Sequence, residues 1–461
     1  MIPNILAERY ASSDIKQIFN PINKIKLERK FWLEVLKIQE KFGYKIPKDA
    51  ISKYEKNVEN INLISIAERE KISKHDVKAR LDEFNSLAEY ELIHLGLTSR
   101  DVTENVELIQ IQTALVTIDS KLTTALQLLR DLINSNKSTY IVGRTHNVPA
   151  QITTLGKKFA TIAEEIMDAK EKLIQEKINL KFKGVKGAIG TQQDLLSIFN
   201  RESLKKIDEH LAKNFGFTRI FDSVGQIYPR SQDFSFISAL SILASGINNF
   251  ALNIRLLAGH NLVSEGFKSE QVGSSAMPHK RNPRSSERIN GLMTLLRGYV
   301  GIAAEVSGNQ WNEGDVSCSV VRRVIIPDSF FVMDAMINSF YSVMKNLTLN
   351  EEAIFQELKT YAPFLASSKI LMECLLRGKS RDRVHAEIKR VTMESHGDGF
   401  KFLKILSENF DLGFSLSELE TLVFNMEDLS GTAQQDCEQI IKKLNKILSS
   451  SRLDNEIGER F

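Results

Sequence analysis

Hydrophobic positions fall on helical spacing over most of this chain. Between Val102 and Ile133, apolar residues stand at 102, 106, 109, 115, 118, 122, 126, 129 and 133. Steps of mostly three or four residues place them on one stripe of a helix. Asp101, just ahead, suits an N-cap or first turn. The stripe runs for about nine turns without Gly or Pro, a length unusual in compact domains and normal in bundles. The pattern recurs over Thr153–Leu180, Phe234–Leu262, Ser285–Val306 and Pro327–Leu347. Pro327 fits a first helical turn.

Strand-like alternation is weak throughout. The pattern therefore predicts an all-α fold, with long helices forming a central bundle over residues 100–350. Two smaller helical domains flank it. Residues 1–99 are broken by Pro21, Gly43 and Pro47; residues 351–461 are punctuated by Gly378, Gly397 and Gly413. The segment Phe234–Leu262 is apolar or small nearly all round, so it needs cover on every side. Neighbouring subunits are the simplest source of that cover.

Composition changes the picture little. The 461 residues are 42% hydrophobic and 26% charged, with a net charge of +3. Such balance argues against a nucleic-acid partner. The cysteines, Cys318, Cys374 and Cys437, are sparse and unpaired in sequence. They form neither a disulfide framework nor a thiolate metal site. No signal-peptide pattern opens the chain, and no unbroken apolar run reaches membrane-spanning length. A cytoplasmic protein without a membrane partner is expected. No HExxH or similar spacing suggests a metal, and no Gly-rich phosphate loop appears.

The most informative stretch is Gly273-Ser274-Ser275-Ala276-Met277-Pro278-His279-Lys280-Arg281-Asn282-Pro283. Its glycine and two prolines forbid a regular helix, yet helices are predicted on both sides. An extended loop carrying hydroxyls, cations and an amide suits an anion; by composition alone it equally suits a basic surface loop. The whole string resembles the signature of the fumarase/aspartase superfamily. Its wording is closest to the branch that acts on succinylated purine nucleotides. Further segments match in order: Arg9-Tyr10, Lys74-His75-Asp76-Val77, His94-Leu95-Gly96-Leu97-Thr98-Ser99, Gly143-Arg144-Thr145-His146, Gly184-Val185-Lys186-Gly187 and Val224-Gly225-Gln226. The resemblance covers residues 1 to about 345 and thins beyond. Argininosuccinate lyases and carboxymuconate cycloisomerases are the rivals within the superfamily, and the signature wording speaks against them. A non-catalytic helical scaffold is the rival outside it.

The resemblance implies β-elimination of fumarate without a cofactor. The substrates would be a succinylated adenine nucleotide, leaving AMP, and succinylaminoimidazole carboxamide ribotide. Ser274 takes the superfamily's catalytic-base position, with Ser275 as the adjacent alternative. A serine needs nearby positive charge and exclusion of water to act as a base. Lys280, Asn282 and backbone N–H groups are the candidates to hold the carboxylate on which charge develops. His146 is the implied general acid, as imidazole suits proton transfer near neutrality. Glu287 would orient His146 or the substrate, and also suits a helix start. His75 is assigned to phosphate or succinyl contacts. His94 reads equally as a substrate contact or a satisfied core histidine. Arg9, Tyr10, Lys74, Asp76, Thr98, Ser99, Thr145, Gln226, Met277, Arg288, Ser319 and Arg323 complete the implied substrate site.

One departure stands out. Gly314 occupies a position where the family commonly has arginine, so one anion contact is missing or supplied by another residue such as Arg322 or Arg281. The active groups are also far apart in the chain. Helices of about thirty residues span about 45 Å, so one chain would struggle to gather them. The resemblance implies a homotetramer with active sites shared between subunits.

Overall fold

The computed structural model describes residues 4–266, 277, 281–409, 412–449 and 457. The first region holds α1 (Ile5–Arg9), α2 (Ser13–Phe19), α3 (Pro21–Lys41), α4 (Ala50–Asn57), α5 (Leu63–Ser73) and α6 (Asp76–Ala88). Next come α7 (Ser99–Ser135), a hairpin of β1 (Tyr140–Thr145) and β2 (Val148–Thr154), and α8 (Leu155–Asn179). β3 (Lys181–Phe182), α9 (Gln193–Leu196), α10 (Arg201–Asn214) and β4 (Arg219–Ile220) precede α11 (Ser231–Gly259). β5 (Val263–Ser264), α12 (Arg284–Val306), α13 (Ser317–Asn346) and β6 (Thr348–Leu349) follow. The C-terminal helices are α14 (Glu351–Leu365), α15 (Ser367–Leu376), α16 (Arg381–Glu394), α17 (Gly399–Ser407), α18 (Leu416–Phe424), α19 (Met426–Leu429) and α20 (Ala433–Ser449).

The fold is helical, and the long helices lie where apolar spacing predicts them. α7, α8, α11, α12 and α13 pack on one another as the central bundle. Their stripes are fully buried: Val102, Val106, Leu115, Ile118, Leu122, Leu126, Leu129 and Ile133 of α7 are solvent-free. Each such side chain contributes roughly 1.5–3 kcal/mol on leaving water. α7 opens with a reciprocal cap between Thr98 and Asp101, which satisfies two otherwise orphaned N–H groups. α20 packs along α7 and α8, and its Cys437, Ile440 and Leu444 join the bundle core. Residues 362–423 build a separate apolar cluster.

Two features differ from the sequence reading. Pro327 does not open the last bundle helix. α13 begins at Ser317 and passes through Pro327. The proline leaves the Arg323 carbonyl without its usual helical N–H partner. The turn before it is anchored by Arg322, which bonds Asp233 at 2.7 Å and Glu107 at 2.6 Å. The second difference is the antiparallel β1–β2 hairpin. Its Val142 and Ile152 are buried against Leu365, with Leu358, Met426 and Leu429 alongside.

α11 is long and apolar enough to cross a membrane by length and composition, yet 56% of its most apolar window is buried within the chain. It packs against α8, α12 and α13. Ile242, Leu252 and Leu256 of α11, and Leu295 and Ile302 of α12, remain exposed in the single chain.

Candidate active site

One group of implied site residues gathers where α6 and α7 begin. His75 is the N-cap of α6, and its Nδ1 accepts the Lys78 N–H at 3.2 Å. His94 lies between the two helices with φ of +75°. Its Nδ1 accepts the Nε1–H of buried Trp32 at 3.0 Å. Ser99 is the first residue of α7. His75, His94 and Ser99, with Ser73 and Lys78, line a cleft of about 350 Å³. Burial pushes the His94 imidazole below its ordinary pKa; Asp101 opposes this, while Lys78 and His75 add to it. His94 is thus both anchored at one ring nitrogen and a wall of the cleft.

Asp76 stands beside this cleft between two guanidiniums. Its Oδ2 is 3.3 Å from Arg80 and 3.4 Å from Arg323. Burial would raise its pKa, but Arg80, the Val77 N–H and Arg323 outweigh that and lower it. Two residues assigned separately to substrate, Asp76 and Arg323, therefore hold each other. Lys74 adopts a left-handed conformation (φ +52°) that ends α5. Thr98 is spent largely on capping α7.

A second group lies at the base of the signature segment. Ser274 and Lys280 fall outside the described residues, as does Ser275. Val263 and Ser264 pair with Leu349 and Thr348. Glu265 accepts the N–H groups of Ser285 at 3.0 Å and Ser286 at 2.7 Å. Its carboxylate thus supplies the charge-assisted bonds that the start of α12 needs. Glu287 is exposed in that first turn. The Asn282 carbonyl accepts the Arg284 N–H at 2.9 Å, and Met277 is exposed. The Arg288 guanidinium lies 5.8 Å from the Tyr10 ring, uniting two implied substrate residues. Arg9 is exposed in the last turn of α1.

His146 occupies a third place, the tip of the hairpin. Thr145 pairs with Val148, so His146 and Asn147 form a two-residue turn. Both have positive φ, +51° and +62°, as a type I′ turn demands. Gly143 is required by close approach: a Cβ there would sit 2.9 Å from the Gln151 carbonyl oxygen. Arg144, two residues before the imidazole, reaches Glu357 of α14 at 2.5 Å.

The His75–His94 cleft does not converge with the other two groups within one chain. α7 has 37 residues, a span of about 55 Å. Ser99, at its start, belongs to the cleft. At its end, Asn136 and Thr139 accept the N–H groups of Gly156 and Leu155, rooting the hairpin there. A six-residue strand such as β1 reaches only about 20 Å. The His146 tip and the His75–His94 cleft of one chain are therefore tens of ångströms apart. Along α13, Arg323 beside Asp76 is separated by about 35 Å from Asn346, whose carbonyl oxygen a Cβ on Gly266 would meet at 2.5 Å.

The Gly314 region explains the sequence departure in part. Gly314 has φ of +151°, and a Cβ there would lie 3.2 Å from Ile227. The backbone at this point demands glycine. Gln226, an implied substrate residue, donates its backbone N–H to the Glu313 carbonyl at 2.8 Å. Ser319 lies in the first turn of α13, its N–H bonded to the Val316 carbonyl at 3.0 Å. Arg322 does not replace the missing arginine. It is buried and spent on Asp233, Glu107, Glu104 and the Tyr228 hydroxyl. Arg281 is exposed.

Trp32, Glu265 and Glu357 are contributors that no motif marked. Each acts through a contact with a residue distant in sequence, and no spacing rule could find it. Among the described residues, no group of three or more His, Cys, Asp or Glu is placed to hold a metal ion.

Known proteins resemble this chain over most of its length. Residues 25–298 match a family model described as lyase. Adenylosuccinate lyase of Saccharomyces cerevisiae is 31% identical over 95% of this chain and 93% of its own length. Adenylosuccinate lyase of Aquifex aeolicus is 32% identical over 90% of this chain and 94% of its own. Among solved structures, the 3-carboxy-cis,cis-muconate lactonizing enzyme from Pseudomonas putida superposes with a TM-score of 0.85 at 18% identity, covering 97% of this chain and 100% of its own. A fumarate lyase from Mesorhizobium gives 0.82 at 15% identity, covering 94% and 99%. At those identities the likeness shows the fold. With a lyase model matched over more than half its length, and relatives above 30% identity along nearly all of it, the chain belongs to the lyase family that includes the adenylosuccinate lyases, and it is a C–N lyase.

Proposed function

We propose that the protein eliminates fumarate from adenylosuccinate, giving AMP, and from succinylaminoimidazole carboxamide ribotide. What carries this reading is the shared activity named for relatives that match nearly end to end. Ser274 is the general base and His146 the general acid. Ser274 takes the proton from the succinyl carbon beside one carboxylate. The electron pair passes onto that carboxylate as an enediolate, held by Lys280 and Asn282. The pair then returns to form the C=C bond of fumarate as the C–N bond breaks. The bonding pair leaves on nitrogen, which His146 protonates.

The phosphate and carboxylates carry close to four negative charges in all. Arg9, Tyr10, Lys74, His75, Arg288, Ser319 and Arg323 supply cations and donors to match them. The site is shared in a homotetramer. Its support is the span of α7 between the His75–His94 cleft and the His146 hairpin. The exposed apolar residues Ile242, Leu252, Leu256, Leu295 and Ile302 supply faces for bundle-to-bundle contact.

Mixing purified protein with adenylosuccinate and following fumarate by absorbance tests the reading. The expected turnover is in the ordinary enzyme range of roughly 1–10³ s⁻¹. No signal with adenylosuccinate, but turnover of argininosuccinate, would transfer the assignment to the rival branch.

A further inference from the structure

His94 and its neighbour Trp32 form an arrangement that the elimination chemistry does not by itself require. The Trp32 indole is fully buried, and an indole N–H can only donate. Buried, it needs an acceptor. It finds the His94 ring nitrogen Nδ1 at 3.0 Å, with the two rings edge to face at 6.0 Å. A nitrogen that accepts a hydrogen bond carries no proton. The ring proton of neutral His94 is therefore on the opposite nitrogen, Nε2.

The same contact disfavours the imidazolium, whose two ring N–H groups would set one against the indole N–H. The surroundings act alike. Burial, Lys78 and His75 of α6 oppose a positive charge on His94, against only Asp101 of α7. The backbone holds the ring in place at φ +75°, a conformation that costs a non-glycine residue and persists where the surroundings impose it. Among the described residues, nothing hydrogen-bonds the remaining ring nitrogen, and the ring walls the cleft with His75 and Ser99.

We propose that Trp32 is a positioning residue that fixes His94 as a neutral Nε2–H donor in the cleft. His94 then holds an acceptor oxygen of the substrate and takes no part in proton transfer. This deepens the proposed function and rests on it for the identity of the substrate. The titratable groups facing His94 are Asp101, Lys78 and His75, and all remain in place in the test below.

The test is solid-state ¹⁵N NMR of the full protein labelled at its histidine rings, recorded over pH 5–9, the window that brackets an unperturbed imidazole. His94 is assigned by the signal lost in His94→Asn. The expected result is an Nε2–H neutral ring that stays neutral below the pH at which an unperturbed histidine charges. In Trp32→Phe, which removes only the N–H donor and part of the ring, the titration should move up toward the ordinary value. KM for adenylosuccinate should rise several-fold, with kcat changed much less. A wild-type His94 that is charged at neutral pH, or carries its proton on Nδ1, overturns the proposal. So does a Trp32→Phe protein with both titration and KM unchanged. The wild-type spectrum alone decides if that variant does not fold. It also reads the tautomer whether or not adenylosuccinate is the substrate, so failure of the functional reading is seen separately, in the fumarate assay.

Discussion

Arg144 and Glu357 join the hairpin that carries His146 to the helix α14, guanidinium to carboxylate at 2.5 Å. Both side chains are mostly buried, at 13% and 12% exposure. The pair lies two residues from the proposed general acid, on the strand that ends at its turn. Replacing Glu357 by Gln keeps the shape and removes the charge. The expected outcome is a fall in kcat of about ten- to a hundredfold, the scale of a small misplacement of a reacting group, with KM little changed. Steady-state kinetics on adenylosuccinate check it; unchanged kcat would show that the hairpin is held without the pair.

Glu265 closes the base of the signature segment by bonding the Ser285 and Ser286 N–H groups. Glu265→Ala should cost about 1 kcal/mol as a lost helix cap. It should also lower turnover more than that loss of stability explains, because Ser274, Lys280 and Asn282 lie in the sequence between Glu265 and Ser285. Thermal unfolding and kinetics measured side by side separate the two effects. Equal activity per folded molecule would limit Glu265 to capping.

Restoring the family's usual arginine at position 314 should not improve substrate grip. The +151° φ and the approach to Ile227 predict that Gly314→Arg costs about 1–3 kcal/mol in backbone strain. KM should not fall. A lower KM at unchanged stability would mean that the backbone readjusts and that the lost contact matters.

The bundle's long helices were legible because burial on one face leaves a stripe at 3.6-residue spacing, and α7, α8, α11 and α12 end within three residues of where their stripes do. Two things hid the rest. Pro327 reads as a helix start, but side-chain anchoring by Arg322 carries α13 through it. The hairpin reads poorly because its strands are covered unevenly, with Val142 and Ile152 inward and a register shift between Gly143 and Arg144 that skips Ala150. Its β-branched content and the His146-Asn147 dipeptide were the available signals. The candidate site was legible as motifs, which mark residue types. The bonds from Trp32, Glu265 and Glu357 join residues far apart in sequence and appear only once the chain is folded.

Acid should weaken the bundle through its buried ion network. The Glu104 carboxylate receives both Arg230 nitrogens at 2.8 Å and Arg322 at 3.3 Å. Burial alone would raise its pKa; Arg230 and Arg322 outweigh that and lower it. Glu107 is lowered too, burial being outweighed by Lys24 and Arg322. A carboxylate with a depressed folded pKa contributes stability above its unfolded pKa, near 4.3 for Glu, and loses it as pH falls through the folded value. The melting temperature should therefore hold from neutrality to about pH 5 and drop below about pH 4. Arg322→Met leaves Asp233, Glu104 and Glu107 short of a cation and should cost about 3–5 kcal/mol at neutral pH. Its acid-side decline should be shallower. Calorimetry across this range reads both, and an Arg322→Met protein as stable as wild type would show the network to be dispensable.

The central claim is that a serine at position 274 and the His146 imidazole meet across one succinyl group from different chains. Ser274→Ala and His146→Gln proteins are each expected to be nearly inactive. Mixed under conditions that exchange subunits, with hybrids confirmed by pulling down one tagged parent with the other, they should regain up to about a quarter of wild-type fumarate release, because a shared interface can pair an intact serine of one subunit with an intact histidine of another. If confirmed hybrids stay as inactive as their parents, the two residues do not act together across subunits.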